Sequence, residues 1–247
     1  MNPIEQFELQ RIGAPYFING VDVSFTNSAL YMLLAAFAAI VLTIGATSRR
    51  ALVPGRGQAL AEVLYEFVAN TVRSTAGKEG MRFFPFVFTL FTFILMSNLI
   101  GLVPYTFSLS SQIVVTFAFA AFVITLVILY GLYRHGFGFL KLFVPHGVPA
   151  PVLVVLIPIE IISFLSRPVS LSVRLFANIL AGHITLAVFG GFVVMLLGAG
   201  AWAALSPIPI LAVVAMYALE LLVNCLQAFV FAVLTCVYLN DAIHPGH

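Results

Sequence analysis

Six polar residues recur at helical spacing inside one of the most apolar stretches of the chain. Successive members are three or four positions apart, so a helix would carry all of them on one face. Their neighbours are mostly Ile, Leu, Val and Phe. An arginine at the centre of a bilayer costs about 3 kcal/mol on insertion scales, so the row must face something other than lipid. The row consists of Glu160, Ser163, Arg167, Ser170, Arg174 and Asn178.

A second polar row lies nearer the C-terminus. Glu220, Asn224 and Gln227 are separated by four and three positions, which again places them on one helical face. A carboxylate deep in an apolar helix needs a cationic partner, a bound proton or water. The sequence therefore predicts two polar-striped helices that face each other across a wet or ion-conducting interior.

Some of these residues have a structural interpretation as well as a functional one. Glu160 and Arg167 are seven positions apart, so they suit either an ion pair near the inner membrane interface or a proton pathway. Ser163 and Ser170 suit hydrogen bonds to carbonyl groups of their own helix. His183 lies nine positions after Arg174, on roughly the opposite side of the helix. It either faces Glu220 or packs as a core histidine.

Arg174 has no acidic residue three or four positions away. Its counter-charge must therefore come from another segment or another chain, since an arginine keeps its proton at any working pH. We expect Arg174 to be functional for this reason.

The composition indicates which elements position these residues. Of 247 residues, 62% are hydrophobic and 8% are charged, whereas soluble domains carry about 25% charged residues. The chain is therefore predicted to be an all-α polytopic membrane protein with a single membrane domain over residues 1–247. The predicted segments are an outer N-terminal segment at 1–27, membrane helices at 28–48, 83–104, 112–134, 149–197 and 206–240, and an amphipathic helix at 56–77.

The last two membrane segments exceed the about 20 apolar residues that one upright crossing needs. We expect both to be strongly tilted or broken, with Pro158 and Pro168 as candidate bends in the first. The short stretches GAG and SPIP within residues 198–209 predict the turn between the two segments.

Basic residues set the predicted orientation. Eight of the eleven Lys and Arg residues fall in two short loops, and the positive-inside rule puts these loops in the cytoplasm. The N-terminus is then outside, and the C-terminus is inside after five crossings. The amphipathic helix is predicted to lie along the inner surface or against its neighbours. The eight are Arg49, Arg50, Arg56, Arg73, Lys78, Arg82, Arg134 and Lys141, and the polar face of the helix is Glu62, Glu66, Asn70 and Arg73.

The same sequence argues against several other functions. A net charge of +2 gives no reason to expect a nucleic-acid partner. The sequence lacks GxxxxGK[ST], so any ATP chemistry belongs to other chains. Cys225 and Cys236 are expected to be small buried hydrophobic residues rather than a disulfide. We expect no metal site, no cofactor and no cleavable signal peptide.

Two rival classes fit part of the pattern. An ion-coupled secondary transporter uses midplane charges and broken helices, but such proteins usually contain paired repeats, and the row around Arg174 has no second copy. A structural scaffold could bind haem through His135, His146 or His183, yet only His183 lies deep in a predicted span.

Two motifs carry a resemblance to a known family. SRPVSLSVRLFANILAGH and ELLVNCLQAFVFAVLTCVYL are similar to subunit a of the F-type ATP synthases. The likeness extends to FVFTLFTFILMSNLIGLVP and to the five-crossing layout. The resemblance implies a proton-translocating stator subunit with two offset half-channels. It implies the c-ring, b-type subunits of the peripheral stalk, lipid and protons as partners. The bacterial inner membrane is the expected location, and the mitochondrial inner membrane is the alternative.

The resemblance also implies roles for single residues. Arg174 matches the essential arginine that faces the ring carboxylates, and Gln227 matches the glutamine opposite it. Asn178, His183 and Glu220 match polar residues of the outer half-channel. Some members exchange the acid and the imidazole of the last two positions, which implies that the two side chains act together.

Other positions are less closely matched. Ser170 corresponds to a position associated with the inner half-channel. Other members carry an acid near Gly101, and Asn98 is the nearest polar substitute here. Glu160 and Asn224 are expected in the proton pathway, and Arg167 is expected in the pathway or in a structural role. Leu171 and Leu175, which flank the Arg174 row, are expected to contact a ring helix.

Overall fold

Six α-helices form most of the described chain. The structure, a computed structural model, describes residues 8–13, 17–18, 21–22, 24–46, 54–103, 106–144 and 150–244. Two short strands, β1 (Phe17–Ile18) and β2 (Val21–Asp22), pair antiparallel near the N-terminus. The helices are α1 (Asn27–Ile40), α2 (Arg56–Gly80), α3 (Phe84–Gly101), α4 (Ile113–His135), α5 (Ala150–Leu197) and α6 (Pro207–Ile243).

Five helical segments of the described chain are long and apolar enough to cross a membrane. This confirms the predicted all-α polytopic class, to which the structure adds the small β1–β2 pair. Helix α1 ends at Ile40 and continues as a wider π-helical turn over Val41–Gly45. The predicted end of this helix at residue 48 lies outside the described residues, as do Arg49, Arg50 and His146.

Helix α2 is amphipathic, as its sequence predicts. Its polar face is exposed, and the opposite face buries small apolar side chains, among them Ala61, Val68, Val72 and Ala76. The backbone leaves helical geometry at Gly77, the predicted last residue of this helix, and the helix ends at Gly80. A 3₁₀ turn over Met81–Phe83 leads into α3. Its position along a membrane surface stays a prediction.

Helix α5 is one continuous helix of 48 residues. Pro158 and Pro168 lie inside it without ending it, so the structure excludes the broken form of this segment. At about 1.5 Å per residue the helix is much longer than a hydrocarbon core of about 30 Å. Its strong tilt in the membrane stays a prediction. A 3₁₀ segment over Gly200–Leu205 connects α5 to α6.

The chain divides into two compact units. The first unit comprises Met1–Ala38, Phe93–Gln112 and Leu175–Ala228. Its buried apolar side chains include Ala35, Leu109 and Phe107, whose ring lies 6.0 Å from that of Tyr31. Unusually for an apolar protein, it also buries many polar side chains. These are Ser28, Ser97, Asn98, Ser108, Ser110, Ser111, Ser206, Glu220, Asn224 and Gln227.

The second unit has a largely apolar core. It comprises Ala39–Thr92, Ile113–Arg174 and Phe229–His247. Aromatic pairs join its helices, since the ring of Phe67 on α2 lies 6.0 Å from Phe91 on α3 and 4.9 Å from Phe229 on α6. The buried hydroxyls of Thr92 and Thr235 each donate to a carbonyl one turn earlier, at 2.8 Å. Both hydroxyls are therefore satisfied by carbonyl groups of their own helices.

The backbone at Gly77 generates a prediction about stability. Its φ of 67° and ψ of −166° define a region that only glycine adopts readily. An added Cβ would meet no atom within 4 Å, so a steric clash does not contribute. Gly77→Ala should therefore destabilise the chain by about 1–3 kcal/mol through backbone strain alone. The thermal unfolding midpoint of the chain in native membranes measures this. Gly57→Ala, in the first turn of α2, is the control, and an equal midpoint for both variants would contradict the assignment of strain.

Candidate functional site

Asn98 on α3 is the centre of a buried hydrogen-bond network in the first unit. The hydroxyl of Ser110 donates to Oδ1 of Asn98 at 2.6 Å. The Asn98 amide donates to the backbone carbonyl of Asn224 on α6 at 3.2 Å, and a longer contact of 3.5 Å runs from the Asn224 amide to the Asn98 carbonyl. The network thus ties α3, the segment before α4, and α6 through polar groups.

Glu220 lies one turn before Asn224 on the same buried face of α6. Its Oε1 lies 3.7 Å from Nε2 of His183, within ion-pair range but too far for a hydrogen bond. Of the two sequence-based alternatives for His183, the structure selects the one beside Glu220. Gln227 is buried on the same helix, so all three members of the second polar row are buried.

Several buried polar atoms near this network have no hydrogen-bond partner among the described residues. They include both carboxylate oxygens of Glu220, Oδ1 of Asn224, and the hydroxyls of Ser97 and Ser108. Each such atom costs about 1–3 kcal/mol when it stays unsatisfied. Among the described residues, these unsatisfied atoms all lie in the first unit. A carboxyl group among unsatisfied polar atoms is suited to exchange a proton.

Gly182 makes the position of Glu220 possible. A Cβ atom at this position would lie 2.8 Å from Oε1 and 3.0 Å from Cδ of Glu220. Only a residue without a side chain lets the carboxylate approach the α5 backbone this closely.

Arg174, on α5 in the second unit, is exposed, and so is Ser170 one turn earlier. The guanidinium of Arg174 forms no hydrogen bond or ion pair with any residue that the structure describes. Asn178, at the start of the part of α5 that belongs to the first unit, is also exposed. Exposed apolar side chains flank this row, with Leu165 61% exposed and Val169 50% exposed.

Leu171 and Leu175 occupy the opposite, buried face of α5. The expectation that these two residues contact another chain is therefore wrong. The 3.6-residue period identifies which residues share a face, but the choice of the inward face depends on tertiary packing. Val173, next to Arg174, is exposed instead.

Arg167 has a partner that the sequence reasoning missed. Its guanidinium Nη1 lies 2.7 Å from Oδ2 of Asp241 on α6. Glu160 is half-buried and forms no ion pair with a described residue, so the Glu160–Arg167 pair is wrong. Asp241 is the only acidic residue after Glu220, and this opposite charge was the available signal.

Other missed residues are Ser108, Ser110 and Gly182. The run SLSSQ between two apolar segments was a visible signal for the two serines. Cys225 is exposed, so the expectation of two buried thiols holds for Cys236 only, and both thiols are free. No group of three or more His, Cys, Asp or Glu side chains among the described residues could hold a metal ion.

The chain has the features of a polytopic membrane protein with a polar, titratable interior. These features are helices long enough to cross a membrane, a buried carboxylate beside an imidazole, and an exposed arginine on an apolar helix. The family model of the ATP synthase A chain matches residues 29–240. The chain is 58% identical to ATP synthase subunit a of Mesorhizobium japonicum over 248 residues, covering 100% of this chain and 98% of that protein.

Two further relatives are similar over the same extent. ATP synthase subunit a of Beijerinckia indica is 57% identical, over 100% of this chain and 98% of the relative. The subunit of Nitrobacter winogradskyi is 56% identical, over 100% of both chains. The chain therefore belongs to the ATP synthase A chain family. It is a membrane component of the proton-translocating sector of ATP synthase.

The close approach at Gly182 leads to a prediction about proton transport. Gly182→Ala should displace the Glu220 carboxylate, because the new methyl group would overlap it. ATP-driven proton pumping in inverted membrane vesicles should fall by about tenfold, which corresponds to about 1.4 kcal/mol. Gly190→Ala on the same helix is the control, since a Cβ there meets no atom within 4 Å. Equal pumping by the two variants would show that the position of Glu220 does not matter.

Proposed function

We propose that this chain is the stator subunit that exchanges protons with the carboxylates of the c-ring through Arg174 and two offset half-channels. One observation carries the proposal, namely an exposed guanidinium on an apolar helix face that no described residue neutralises. A charge in that setting would be costly against lipid. A neighbouring chain that presents a carboxylate resolves the cost.

Arg174 acts on the ring carboxylates by electrostatics. A ring carboxyl that faces lipid must be protonated, because a bare carboxylate in hydrocarbon is too costly. Beside a guanidinium within about 4–6 Å it ionises, since the opposite charge lowers its pKa. Arg174 keeps its own proton and therefore also blocks a direct leak between the half-channels.

The buried network of the first unit forms the outer half-channel in this proposal. Protons enter past Ser110 and Asn98, continue along Asn224, and reach the Glu220–His183 pair. The 3.7 Å separation of the last two side chains suits a relay through a small shift or one water molecule. Asn178, exposed on α5, delivers the proton toward the ring.

The inner half-channel starts at Ser170 in this proposal. Ser170 lies one turn from Arg174 on the exposed face of α5, and half-buried Glu160 lies further along the helix. Gln227, buried on α6 in the first unit, holds water in the proton pathway. Each proton that crosses 100 mV releases about 2.3 kcal/mol, which is comparable to the insertion cost of one arginine. Modest changes in the local electrostatic energy can therefore gate the motion of the ring.

The partners follow from the same proposal. The c-ring contacts the exposed row of α5, b-type subunits of the peripheral stalk bind elsewhere on the chain, and lipid surrounds the remaining apolar surface. The relatives compared above are bacterial, which supports the bacterial inner membrane as the location. The N-terminus is outside and the C-terminus is cytoplasmic.

Arg174→Ala should abolish ATP-driven proton pumping by the intact ATP synthase. The reason is that a ring carboxylate then meets no cation and stays protonated. Acidification of inverted vesicles on addition of ATP measures the effect. Arg73→Ala removes an exposed arginine from α2 and should pump normally. Coupled pumping by the Arg174 variant at the control rate would refute the proposed role.

Glu220→Gln keeps the size of the side chain and removes its ability to carry a proton. Proton flux should fall by about 10²-fold or more, as expected for loss of a positioned acid–base group, while the amount of assembled complex stays unchanged. The matched control is Glu62→Gln on the exposed face of α2. Loss of assembly in the Glu220 variant alone would assign this residue a structural role instead.

A further inference from the structure

We propose that Arg167 and Asp241 form a latch that sets the rotation of α5 about its own axis and so keeps Arg174 outward. The inference rests on the proposed function of Arg174. It makes Arg167 a positioning residue and removes it from the proton pathway. All residues that carry the inference belong to the second unit.

The latch is well defined by its contacts. The 2.7 Å contact between Arg167 and Asp241 joins α5 to α6, and the two side chains are only 22% and 27% exposed. The guanidinium also lies 5.3 Å from the ring centre of Phe164 and 5.2 Å from that of Tyr238. Two ring faces and a carboxylate together hold the group far more firmly than an exposed ion pair would.

The latch lies beside Pro168, one of the two prolines inside α5. Pro168 has no N–H group, so the carbonyl of Phe164 loses its helical donor. A helix with a missing bond can turn or bend at this point. Phe164 and Arg167 span the affected turn, and both reach neighbouring segments, because Phe164 also packs 5.5 Å from the ring of Phe143. Side-chain contacts thus replace the rigidity that the backbone lacks.

Helical geometry connects the latch to Arg174. Seven residues separate Arg167 from Arg174, so the two side chains point in directions that differ by only about 20°. Leu171 and Ser172, between them in sequence, face the buried side. Any rotation of α5 that released Arg167 from Asp241 would also turn Arg174 away from its outward position and bring the Ser172 side toward the surface.

A second ion pair in the same unit provides a comparison. Arg134 lies 2.6 Å from Glu79, but these side chains are 34% and 51% exposed. Exposed pairs of this kind contribute little to stability. Removing Glu79 therefore removes a similar charge without releasing α5.

The test measures helix rotation and proton coupling in the intact ATP synthase in native membranes. Ser172→Cys introduces a thiol at a position that is 1% exposed, in a Cys225→Ser background that removes the exposed native thiol. The native buried thiol of Cys236 reports general loosening of the structure. Labelling by a membrane-permeant maleimide gives the rate at each thiol.

Arg167→Gln and Asp241→Asn should each raise the labelling rate of the Ser172→Cys thiol relative to Cys236 by about tenfold, since a hydrogen bond to a charged group is worth at least that factor. ATP-driven pumping should fall in both variants. The exchanged pair, Arg167→Asp with Asp241→Arg, should restore both quantities in part, and Glu79→Gln should change neither.

Three outcomes would overturn the latch. These are an unchanged labelling ratio, a raised ratio with normal pumping, or a Glu79→Gln variant with the same effects. If a single variant does not assemble, Arg167→Lys and Asp241→Glu replace it, with intermediate values expected. The labelling ratio does not depend on proton transport, so normal pumping by Arg174→Ala would refute the proposed function and leave the latch to be judged by labelling.

Discussion

The proposed mechanism depends on a charge that cannot be removed, in a place where charge is costly. Arg174 keeps its proton at any working pH, and it is exposed on a helix whose outer face is otherwise largely apolar. No described residue supplies a counter-ion. A stable arrangement needs a counter-charge, and under the proposed function the acids that a rotor presents one after another supply it.

Two arginines on one helix illustrate how surroundings decide a role. Arg167 has the same side chain as Arg174 and lies two turns away on nearly the same face, yet Asp241 and two aromatic rings hold it. In the second unit, the buried hydroxyls of Thr92 and Thr235 are satisfied within their own helices. The first unit instead leaves the Glu220 carboxylate and several buried hydroxyl and amide atoms unsatisfied, which is unfavourable for stability and suited to proton transfer.

The sequence predicts a large part of this fold, because membrane helices depend on local rules. Apolar length gives the crossings, and the 3.6-residue period gives the two polar rows. Periodicity does not tell which face turns inward, so it does not reveal that Leu171 and Leu175 lie on the buried face of α5. It also gives no partners between distant segments. Asp241 with Arg167, and Ser110 with Asn98, lie 74 and 12 positions apart, and packing alone brings each pair together.

The most direct test of the central claim is the distance between Arg174 and the nearest ring carboxylate in a map of the intact ATP synthase. We expect a ring acid to lie within about 6 Å of the Arg174 guanidinium when its subunit faces this chain. A map in which an acid of its own chain neutralises Arg174, with every ring acid beyond that range, would contradict it.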